Sequence, residues 1–485
     1  MVSAVFKTVG CNLLLRQVRF LPLPKKTDPI MENDRLRNIP QVEKLLQSAE
    51  LAGYVKKLGR GTVLAIIRSA VEEYRRTASS ETDGLIPSIK KSCEEKRLRR
   101  LQRVINGTGI IIHTNLGRSP LPPGILKKMQ EILSGYCNLE IEVASGGRGS
   151  RGGFAEELAA GVCGADDALF VNNNAAAVFL ILSEFARGRE VVVSRGEMMQ
   201  IGGGFRIPDI MRQAEALLVE VGTTNITTIE DYQGAINENT AMIFSAHSSN
   251  YKIEGFTSSP SLDDLAALKT QRVMLVRDLG SGNLYDGGDV PPSFETTVAR
   301  ELSRGPDLIC FSGDKLLGGC QAGIIAGNAA FIAAMRKNPI MRMIRPDKMT
   351  YFILQEILVC YQNGLLDGIP VWGIILGGKR AADRRISRLV RSVRNPAGRS
   401  FLKKTKTMCA FGGGSMPGAE MESSGLAVSV PGFSADAVYR YFSRLETPVV
   451  GIISEGRFLL DFSTVLDEDV PILASAIEKL ASEKV

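Results

Sequence analysis

Residues 308–323 read LICFSGDKLLGGCQAG, which sets a lysine, Lys315, on a turn between two apolar runs. The run before the turn and the run 324–326 after it are typical of buried strands, and Ser, Gly and Asp are typical of turns. Small neighbours let another group approach the backbone, and a desolvated lysine amine can form a Schiff base with an aldehyde cofactor. Lys315 therefore indicates pyridoxal phosphate, and a solvated surface lysine is the alternative.

Short apolar runs that end in polar turns alternate with helical patterns over residues 104–369. Four such runs are 168–171, 190–193, 241–244 and 273–276. Strands that alternate with helices predict a large α/β domain with a mainly parallel sheet. Ligands of such sheets bind at the carboxyl ends of the strands, which is where these polar turns fall. Residues 370–485 carry further helix and strand patterns and are expected to form a smaller α+β domain.

Asp278 ends one of these apolar runs, about two elements before Lys315. A buried carboxylate that faces a pyridine nitrogen keeps that nitrogen protonated and so preserves the electron sink of pyridoxal phosphate. A carboxylate and a lysine on consecutive strand ends are the minimum that this cofactor requires from a protein. The order of Asp278 and Lys315 therefore supports the same cofactor.

The phosphate of this cofactor needs backbone donors at a helix N-terminus, with small side chains around them. Asn173, Asn174 and Ala175 open an alanine-rich helical pattern directly after an apolar run. Ser312, three residues before Lys315, could add a hydroxyl group. We expect these residues to bind the cofactor, and an asparagine that only caps a helix is the alternative.

Three arginines lie in apolar or turn-like surroundings, namely Arg118, Arg342 and Arg345. Guanidinium groups suit phosphate-like anions because their donors match the geometry of such anions. From spacing alone, structural ion pairs explain these arginines equally well. The glycine-rich stretch 146–153 contains two more arginines and could contact a cofactor, a substrate or a neighbouring subunit.

Composition limits the classes of function that the chain can have. Its 485 residues include 59 Lys and Arg against 52 Asp and Glu, and the net charge of +7 permits an anionic partner without requiring one. The eight cysteines form no C-x-x-C pair and there are two histidines, which argues against zinc sites, disulfide scaffolds and histidine triads. No apolar run reaches the roughly 20 residues that span a bilayer. We therefore expect a cytoplasmic protein without a metal site or membrane segment, with a disordered tail over residues 1–35.

Residues 36–103 are expected to form a small helical domain with its link to the large domain. Apolar residues recur at spacings of three and four between residues 63 and 74, which gives a helix one apolar face. Basic residues are concentrated between 90 and 103, and aromatic residues are missing there. This pattern predicts recognition of a nucleic-acid backbone or shape, and a solvated helix face is the alternative.

Several motifs, taken together, closely resemble those of bacterial selenocysteine synthases, the L-seryl-tRNA(Sec) selenium transferase family. The motifs are Asn106–Gly109, His113–Arg118, Arg148–Arg151, Asn172–Ala177, Ser194–Glu197, Gly222–Asn225 and Ser312–Gly323. The resemblance extends from about Leu36 to the C-terminus. Gly152 and Gly153 depart from the family, which usually has an aromatic residue after the second arginine of that loop.

The resemblance implies a pyridoxal-phosphate-dependent transferase of the aspartate-aminotransferase fold type I. It further implies a homodecamer, built as a pentamer of dimers, in which the N-terminal domain binds tRNA. The implied reaction converts L-seryl-tRNA(Sec) to L-selenocysteinyl-tRNA(Sec) for selenoprotein synthesis. Selenophosphate would be the selenium donor, and an aminoacrylyl-tRNA bound to the cofactor would be the intermediate.

The motif match also implies roles for individual residues. Lys315 would be the Schiff-base lysine and Asp314 a catalytic neighbour. The positions that match the donor-anion site are Arg118, Arg342 and Arg345, and the further active-site positions are Thr223 and Thr224.

Two other classes of function fit parts of the sequence. A pyridoxal-phosphate lyase for a small amino sugar acid or amino acid would share the cofactor site, but it would have no use for the basic N-terminal extension. A tRNA-binding protein without catalysis would have no use for Asp278 and Lys315.

Overall fold

The computed structural model describes residues 41–77, 84–198, 200–201, 204–247, 251–287, 290 and 294–482. The tail expected over residues 1–35 lies outside these ranges. The chain divides into two compact units, residues 1–102 and residues 103–485.

The first unit is helical, as its spacing of apolar residues predicts. Its helices are α1 (Val42–Leu46), α2 (Ala49–Leu58), α3 (Arg60–Thr77) and α4 (Leu85–Leu98). Their apolar faces meet in one core, whose buried side chains include Leu45, Leu51, Val63, Ile67 and Ile89. Burial of these stripes holds the short helices together, because helices of this length are marginal by themselves in water.

The basic segment of this unit contains both structural and exposed side chains. Arg97 is buried, and its Nη2 lies 2.6 Å from Oε1 of Glu94 while its Nη1 lies 3.1 Å from Oε1 of Gln102. Arg97 therefore stabilises the helices. Lys91 and Lys96 are exposed and are available to a partner.

The second unit is built on a large mixed sheet. Up to residue 327 its strands are β1 (Ile105–Asn106), β2 (Asp167–Val171), β3 (Glu190–Ser194), β4 (Gln200–Ile201), β5 (Phe205–Arg206), β6 (Leu217–Val221), β7 (Thr240–Ala246), β8 (Met274–Gly280), β9 (Leu308–Ser312) and β10 (Gly323–Gly327). Seven of them form one sheet in the order β2-β10-β9-β8-β7-β3-β6. Neighbouring strands from β9 to β6 are parallel, and β10 is antiparallel to both β9 and β2. The mainly parallel sheet is therefore confirmed, with β10 as its antiparallel strand.

Both faces of this sheet are covered, which explains why its strands are continuous apolar runs. Side chains of a strand point alternately to the two faces. In β9, Ile309 and Phe311 enter one core cluster, whereas Leu308 and Cys310 enter another. The helices of this unit as far as residue 362 are α5 (Pro123–Leu133), α6 (Gly153–Cys163), α7 (Asn174–Phe185), α8 (Ile207–Gln213), α9 (Ile229–Ala235), α10 (Leu262–Ala266), α11 (Val298–Ser303), α12 (Ala329–Lys337), α13 (Met341–Ile344) and α14 (Lys348–Gln362).

The C-terminal part is an α+β arrangement. Its elements are α15 (Pro370–Ser392), α16 (Pro396–Ser400), β11 (Leu402–Ala410), β12 (Glu420–Val428), α17 (Ala435–Ser443), β13 (Val449–Val450), β14 (Ile452–Ser454), β15 (Arg457–Asp461) and α18 (Val470–Ser482). An antiparallel sheet in the order β11-β12-β15-β14 forms its centre. Helix α15 is interrupted at Gly378, whose φ of 45° and ψ of −150° are not helical.

The first strand of the second unit pairs with this C-terminal part. Ile105 in β1 lies opposite Val449 in β13, and Ile110 forms an isolated bridge with Ala410. The apolar runs near residues 105 and 110 are too short to form a central strand. They extend the C-terminal elements, although they precede the large sheet in the chain.

Candidate active site

Lys315 lies in the connection between β9 and β10, at the carboxyl end of β9, and only 5% of it is exposed. The hydroxyl of Ser119 donates to the Lys315 carbonyl oxygen at 2.5 Å, and the amide of Leu316 donates to the Ser281 carbonyl at 3.1 Å. A Cβ atom built on Gly414 would lie 2.6 Å from Nζ of Lys315. The amine therefore occupies a narrow buried space that exists because residue 414 has no side chain.

Asp278 lies on the neighbouring strand β8, paired with Cys310 of β9, and is 8% exposed. Its Oδ1 accepts hydrogen bonds from Nδ2 of Asn174 at 2.8 Å and from the Gly280 amide at 3.0 Å. Burial raises the pKa of the Asp278 carboxyl, whereas Asn174 and Lys315 favour its charged form. The sheet thus brings a buried carboxylate close to the buried lysine, as the order of the two strands predicts.

The N-terminus of α7 borders the same place. Asn173 is its N-cap, and its side-chain oxygen accepts a hydrogen bond from the Ala176 amide at 2.9 Å. The backbone N–H groups of Asn174 and Ala175 make no hydrogen bond to any residue that the structure describes. These donors and the positive end of a 12-residue helix suit a phosphate group.

Strand β10 lies between β2, which precedes α7, and β9, which precedes Lys315. Gly323 lies opposite Ser312 in β9 and opposite Val171 in β2. A Cβ atom on Gly323 would collide with the carbonyl group of Asn173. Ser312 itself is buried at the end of β9. The close approach at Gly323 therefore holds Asn173 and Ser312 at the same edge of the sheet.

Charges around Lys315 act in both directions on its proton. Burial, followed by the positive charge of Arg118, lowers the pKa of the Lys315 amine. The carboxylates of Asp278, Asp314 and Glu295 oppose that effect. Because burial has the largest effect, the neutral amine forms more readily than it does for a lysine in water.

Arg118 and Asp314 form an ion pair next to Lys315. Nη1 of Arg118 lies 2.9 and 2.8 Å from the two carboxylate oxygens of Asp314. Arg118 adopts a left-handed backbone conformation with φ of 62°, after a turn in which its amide donates to the His113 carbonyl. The pair uses one nitrogen of the guanidinium group, so Nε and Nη2 can still bind an anion.

The structure does not bring Thr223 and Thr224 to Lys315. Both follow β6, one of the two edge strands of the sheet, and four strand spacings separate β6 from β9. At the usual spacing between strands, this separation is about 19 Å. Both threonines are exposed, and the Thr223 hydroxyl donates to the Ile226 carbonyl at 2.9 Å.

Arg342 and Arg345 line a different space. They border a cavity of about 370 Å³ together with Arg151 and Arg336. Nη1 of Arg345 lies 3.6 Å from a carboxylate oxygen of Glu140. Within the described ranges, neither arginine contacts Lys315.

Three residues that the sequence analysis did not select lie near the amine or the carboxylate. Gly414 was missed although it ends a run of three glycines, which is a sign of close approach. His247 directly follows β7, its amide donates to the Asp278 carbonyl at 2.8 Å, and burial lowers the pKa of its imidazole to about 4. Its place after an apolar run is the signal that could have found it.

Glu295 is the third missed residue, and nothing in its local sequence marks it. The Ser281 hydroxyl donates to its Oε1, while its Oε2 is buried without a partner among the described residues. Burial raises the pKa of the Glu295 carboxyl to about 7, against the effects of Ser281 and Lys315.

The described residues contain neither a cluster that could hold a metal ion nor a helix that could span a membrane. Among the described side chains, no three His, Cys, Asp or Glu residues come together as a metal site requires. None of the helices in the described ranges has the length and apolar composition needed to cross a membrane.

The chain is similar to known proteins in its sequence and in its fold. A family model described as L-seryl-tRNA selenium transferase matches residues 104–466, and one described as selenocysteine synthase N terminal matches residues 36–75. The L-seryl-tRNA(Sec) selenium transferase of Carboxydothermus hydrogenoformans is 39% identical over 453 residues, which cover 92% of this chain and 97% of that protein. The enzyme of the same name from Geobacter metallireducens is 41% identical over 458 residues, 91% of this chain and 98% of that protein.

Among solved structures, a D-glucosaminate-6-phosphate ammonia-lyase has a similar fold. The two chains superpose with a TM-score of 0.54 at 18% identity, over 79% of this chain and 96% of that one. The prediction of an α/β fold of the pyridoxal-phosphate-dependent transferase class is confirmed.

Proposed function

This chain belongs to the L-seryl-tRNA selenium transferase family, and from that premise we propose how it converts L-seryl-tRNA(Sec) to L-selenocysteinyl-tRNA(Sec). The observation that carries the proposal is the buried Lys315 beside Asp278, in a chain that matches these transferases over 92% of its length. Selenophosphate is the proposed selenium donor. The alternative of a small-molecule lyase has weaker support, because the 18% identity to a D-glucosaminate-6-phosphate ammonia-lyase reflects a shared fold alone.

The residues around Lys315 fit pyridoxal phosphate. When bound, this cofactor supplies an electron sink for the negative charge left on a carbon that loses a proton. Lys315 would hold the aldehyde group and Asp278 the ring nitrogen. The open N–H groups of Asn174 and Ala175 would hold the phosphate, together with Asn173 and Ser312, which lie at the same sheet edge.

Lys315 is also the proposed base of the reaction. The reaction requires the α-proton of the seryl group to be removed and later returned. Burial lowers the pKa of the Lys315 amine, so its neutral form is available to accept that proton. The narrow space against Gly414 directs the amine and excludes bulk water around it.

Arg118 and Asp314 are proposed to bind and orient the donor anion. Asp314 holds Arg118 through Nη1, and the remaining donors of the guanidinium group suit an oxyanion. Their position next to Lys315 would place the selenium donor near the β-carbon of the seryl group.

Thr223, Thr224, Arg342 and Arg345 are proposed to act in a neighbouring copy of the chain. Four strand spacings separate the threonines from β9, and the arginines border a separate cavity. A homo-oligomer that joins these surfaces to another copy's Lys315 would complete the site, and a decamer of five dimers is the proposed assembly.

The N-terminal unit is the proposed primary tRNA-binding region. Its helix α4 exposes Lys91 and Lys96, and two further exposed arginines, Arg99 and Arg100, follow its C-terminus. Such side chains bind phosphates without reading bases. Because the proposed substrate is a charged tRNA, we propose that the protein acts in the cytoplasm.

The test is an assay of the purified protein with seryl-tRNA(Sec) and selenophosphate. Wild type and Lys315→Ala are compared for absorbance of the bound cofactor and for the amino acid released from the tRNA. We expect selenocysteine from wild type alone, with the visible absorbance lost in the variant. A wild type that binds the cofactor but leaves seryl-tRNA unchanged would overturn the proposed function.

A further inference from the structure

Helix α15 carries a row of arginines that the reaction does not use. Beyond the break at Gly378 the helix continues regularly, and Arg380, Arg384, Arg388 and Arg391 follow at spacings of four, four and three. At 100° per residue, these four positions lie within about 80° of the helix circumference. We call them the arginine face.

The arginine face points to solvent, because the opposite side of the helix fills the C-terminal core. Ala382, Ile386 and Leu389 are buried in that core. Arg385 also belongs to the inner side, where it is 8% exposed and its Nη1 donates to the Ser463 carbonyl at 3.3 Å. Arg385 is therefore structural and is not part of the arginine face.

Most of the arginine face has no acidic partner. Arg380, Arg384 and Arg391 are exposed and form no ion pair with any residue in the described ranges. Arg388 is the exception, with Nη1 3.0 Å from a carboxylate oxygen of Asp467. Like charges at spacings of four destabilise a helix, so this row has a cost that the Arg388–Asp467 pair offsets only in part. An anionic partner would offset it.

Strand β11 extends the positive surface. Nζ of Lys404 lies 2.7 Å from a carboxylate oxygen of Asp383, which places β11 beside the same helix. Lys406 is two residues further along the strand, so its side chain leaves the sheet on the same side as that of Lys404. Lys404 and Lys406 are both exposed. Because Asp383 pairs with Lys404, Lys406 is the one of these two lysines that forms no ion pair among the described residues, and with it the positive surface spans two elements.

The shape and composition of this surface select one class of partner. A row about 16 Å long fits a polyanion better than a single small anion, which needs a closed pocket. An interfacial membrane helix would turn an apolar face outward, whereas the apolar face of α15 is buried in the core. No aromatic side chain occurs between residues 380 and 391, so bases have nothing to stack on. The polyanion that the proposed function supplies is the tRNA substrate, and its phosphate backbone suits such a row of arginines.

We propose that the arginine face, with Lys404 and Lys406, binds the phosphate backbone of the tRNA substrate. This inference rests on the proposed function and adds a second RNA contact, in the same unit as Lys315. Backbone contacts set the position of a nucleic acid without reading its sequence. The arginine face therefore strengthens binding of tRNA(Sec) and tRNA(Ser) alike and leaves their discrimination to other residues.

The experiment measures binding of fluorescently labelled seryl-tRNA(Sec) to the full-length holoenzyme from about 50 to 400 mM KCl. The test variant combines Arg380→Ala, Arg384→Ala and Arg391→Ala. The control variant removes three exposed charges elsewhere in the same unit, through Lys127→Ala, Arg272→Ala and Arg440→Ala. Each phosphate contact contributes about 0.7–0.9 to the slope of log K against log salt concentration.

We expect the test variant to lose about 2 units of that slope and to bind at least about tenfold more weakly near 150 mM salt, while the control variant matches wild type. At saturating tRNA its turnover should stay within about twofold of wild type, which shows that the fold is intact.

Unchanged slope and affinity in the test variant, with an active wild type, would overturn the RNA surface and leave the proposed function standing. The RNA surface would also be overturned if the three substitutions reduced binding only to vesicles of phosphatidylserine and phosphatidylcholine, because the surface would then bind a membrane. A wild type that neither binds nor converts seryl-tRNA(Sec) would overturn both proposals.

Discussion

Nη1 of Arg118 is held between the two carboxylate oxygens of Asp314, at 2.9 and 2.8 Å, one residue before Lys315. Asp314 is 8% exposed, and Arg118 is its ion-pair partner. An anion that binds Arg118 would therefore lie next to Asp314, whose neighbour in the chain is the proposed base, Lys315. The same ion pair would connect the proposed donor binding to the protonation of Lys315, because the charge of Arg118 lowers the pKa of that amine.

Arg118→Ala should destabilise the protein, because it leaves the Asp314 carboxylate buried without a partner. Breaking a buried pair costs about 3–5 kcal/mol, and the partial exposure of Arg118 reduces the expected loss to about 2 kcal/mol. Urea unfolding of the apoprotein measures this change. Adding Asp314→Asn should recover much of the loss, and equal stability of Arg118→Ala and wild type would contradict the role of the pair.

Gly414→Ala should block the cofactor site. The new Cβ would lie 2.6 Å from Nζ of Lys315, and φ of +90° at this residue is unfavourable for alanine. We expect the affinity for pyridoxal phosphate to fall at least about tenfold, measured by titrating the apoprotein and following cofactor absorbance. Gly413→Ala is the matched control, because its Cβ would meet its nearest neighbour, Thr114 Oγ1, at 3.5 Å. Similar affinities for the two variants would contradict the narrow space.

Asp278→Asn should leave cofactor binding largely intact and slow the reaction. The variant keeps the size of the side chain but cannot stabilise a protonated ring nitrogen, so we expect kcat to fall by about 10²–10³. Asn174→Ala should have a smaller effect, because it removes one hydrogen bond at 2.8 Å and leaves the carboxylate in place. Turnover of Asp278→Asn near the wild-type rate would exclude this role of the carboxylate.

Glu295→Gln should change how stability depends on pH. Burial raises the pKa of the Glu295 carboxyl from 4.5 to about 7. Between these values the folded protein holds a proton that the unfolded chain has released, so wild-type stability falls as pH rises from 4.5 to 7. Gln cannot lose a proton, and its amide oxygen can still accept the Ser281 hydrogen bond.

The stability of Glu295→Gln relative to wild type should therefore increase with pH, by at most about 3 kcal/mol between pH 4.5 and 7.5. Urea unfolding of the apoprotein at several pH values measures this difference. Glu131→Gln, at an exposed site, should show no such trend. A difference that is constant with pH would mean that Glu295 titrates normally.

Mixed oligomers test whether a neighbouring copy completes the site. The Lys315→Ala variant and the double variant Arg342→Ala/Arg345→Ala should each be inactive by itself. In oligomers assembled from equal amounts of these two variants, half of the chains have the lysine and the other half have the arginines. Random mixing therefore joins an intact lysine to a neighbouring chain's intact arginines in about a quarter of the sites. We therefore expect about a quarter of wild-type activity. Inactive mixed oligomers would place all these residues in the site of a single chain.

Asp278 and Lys315 could be predicted because local patterns carry the information. Each follows an apolar run that is long enough to be a buried strand, and polar residues after such runs lie at the carboxyl edge of a parallel sheet. The N-terminus of α7 was predictable for the same reason, since its N-cap, Asn173, lies two residues after the end of β2. Asp278 and Lys315 belong to consecutive strands, and consecutive strands are often neighbours in a sheet, so their proximity was the default expectation.

The remaining features depend on tertiary structure. Gly414 lies against the amine of Lys315 although it is 99 positions further along the chain. Glu295, whose charge acts on the same amine, lies in a loop, where the sequence has no periodicity. Thr223 follows the end of a strand and Asp278 lies near the end of one, but the order β9-β8-β7-β3-β6 places Thr223 at the edge of the sheet. Strand order is set by packing between segments that are distant in the chain, so it cannot be predicted from the spacing of apolar residues.

The antiparallel strand β10 also bears on synthesis of the protein. Strand β2 lies at the edge of the sheet, and its neighbour there is β10, about 150 residues later in the chain. While the ribosome is still making the intervening segments, β2 has no partner and the start of α7 has no fixed place. The proposed phosphate-binding end of the site can therefore form only after residue 327 has left the ribosome, and nascent chains interrupted earlier should be unable to retain pyridoxal phosphate.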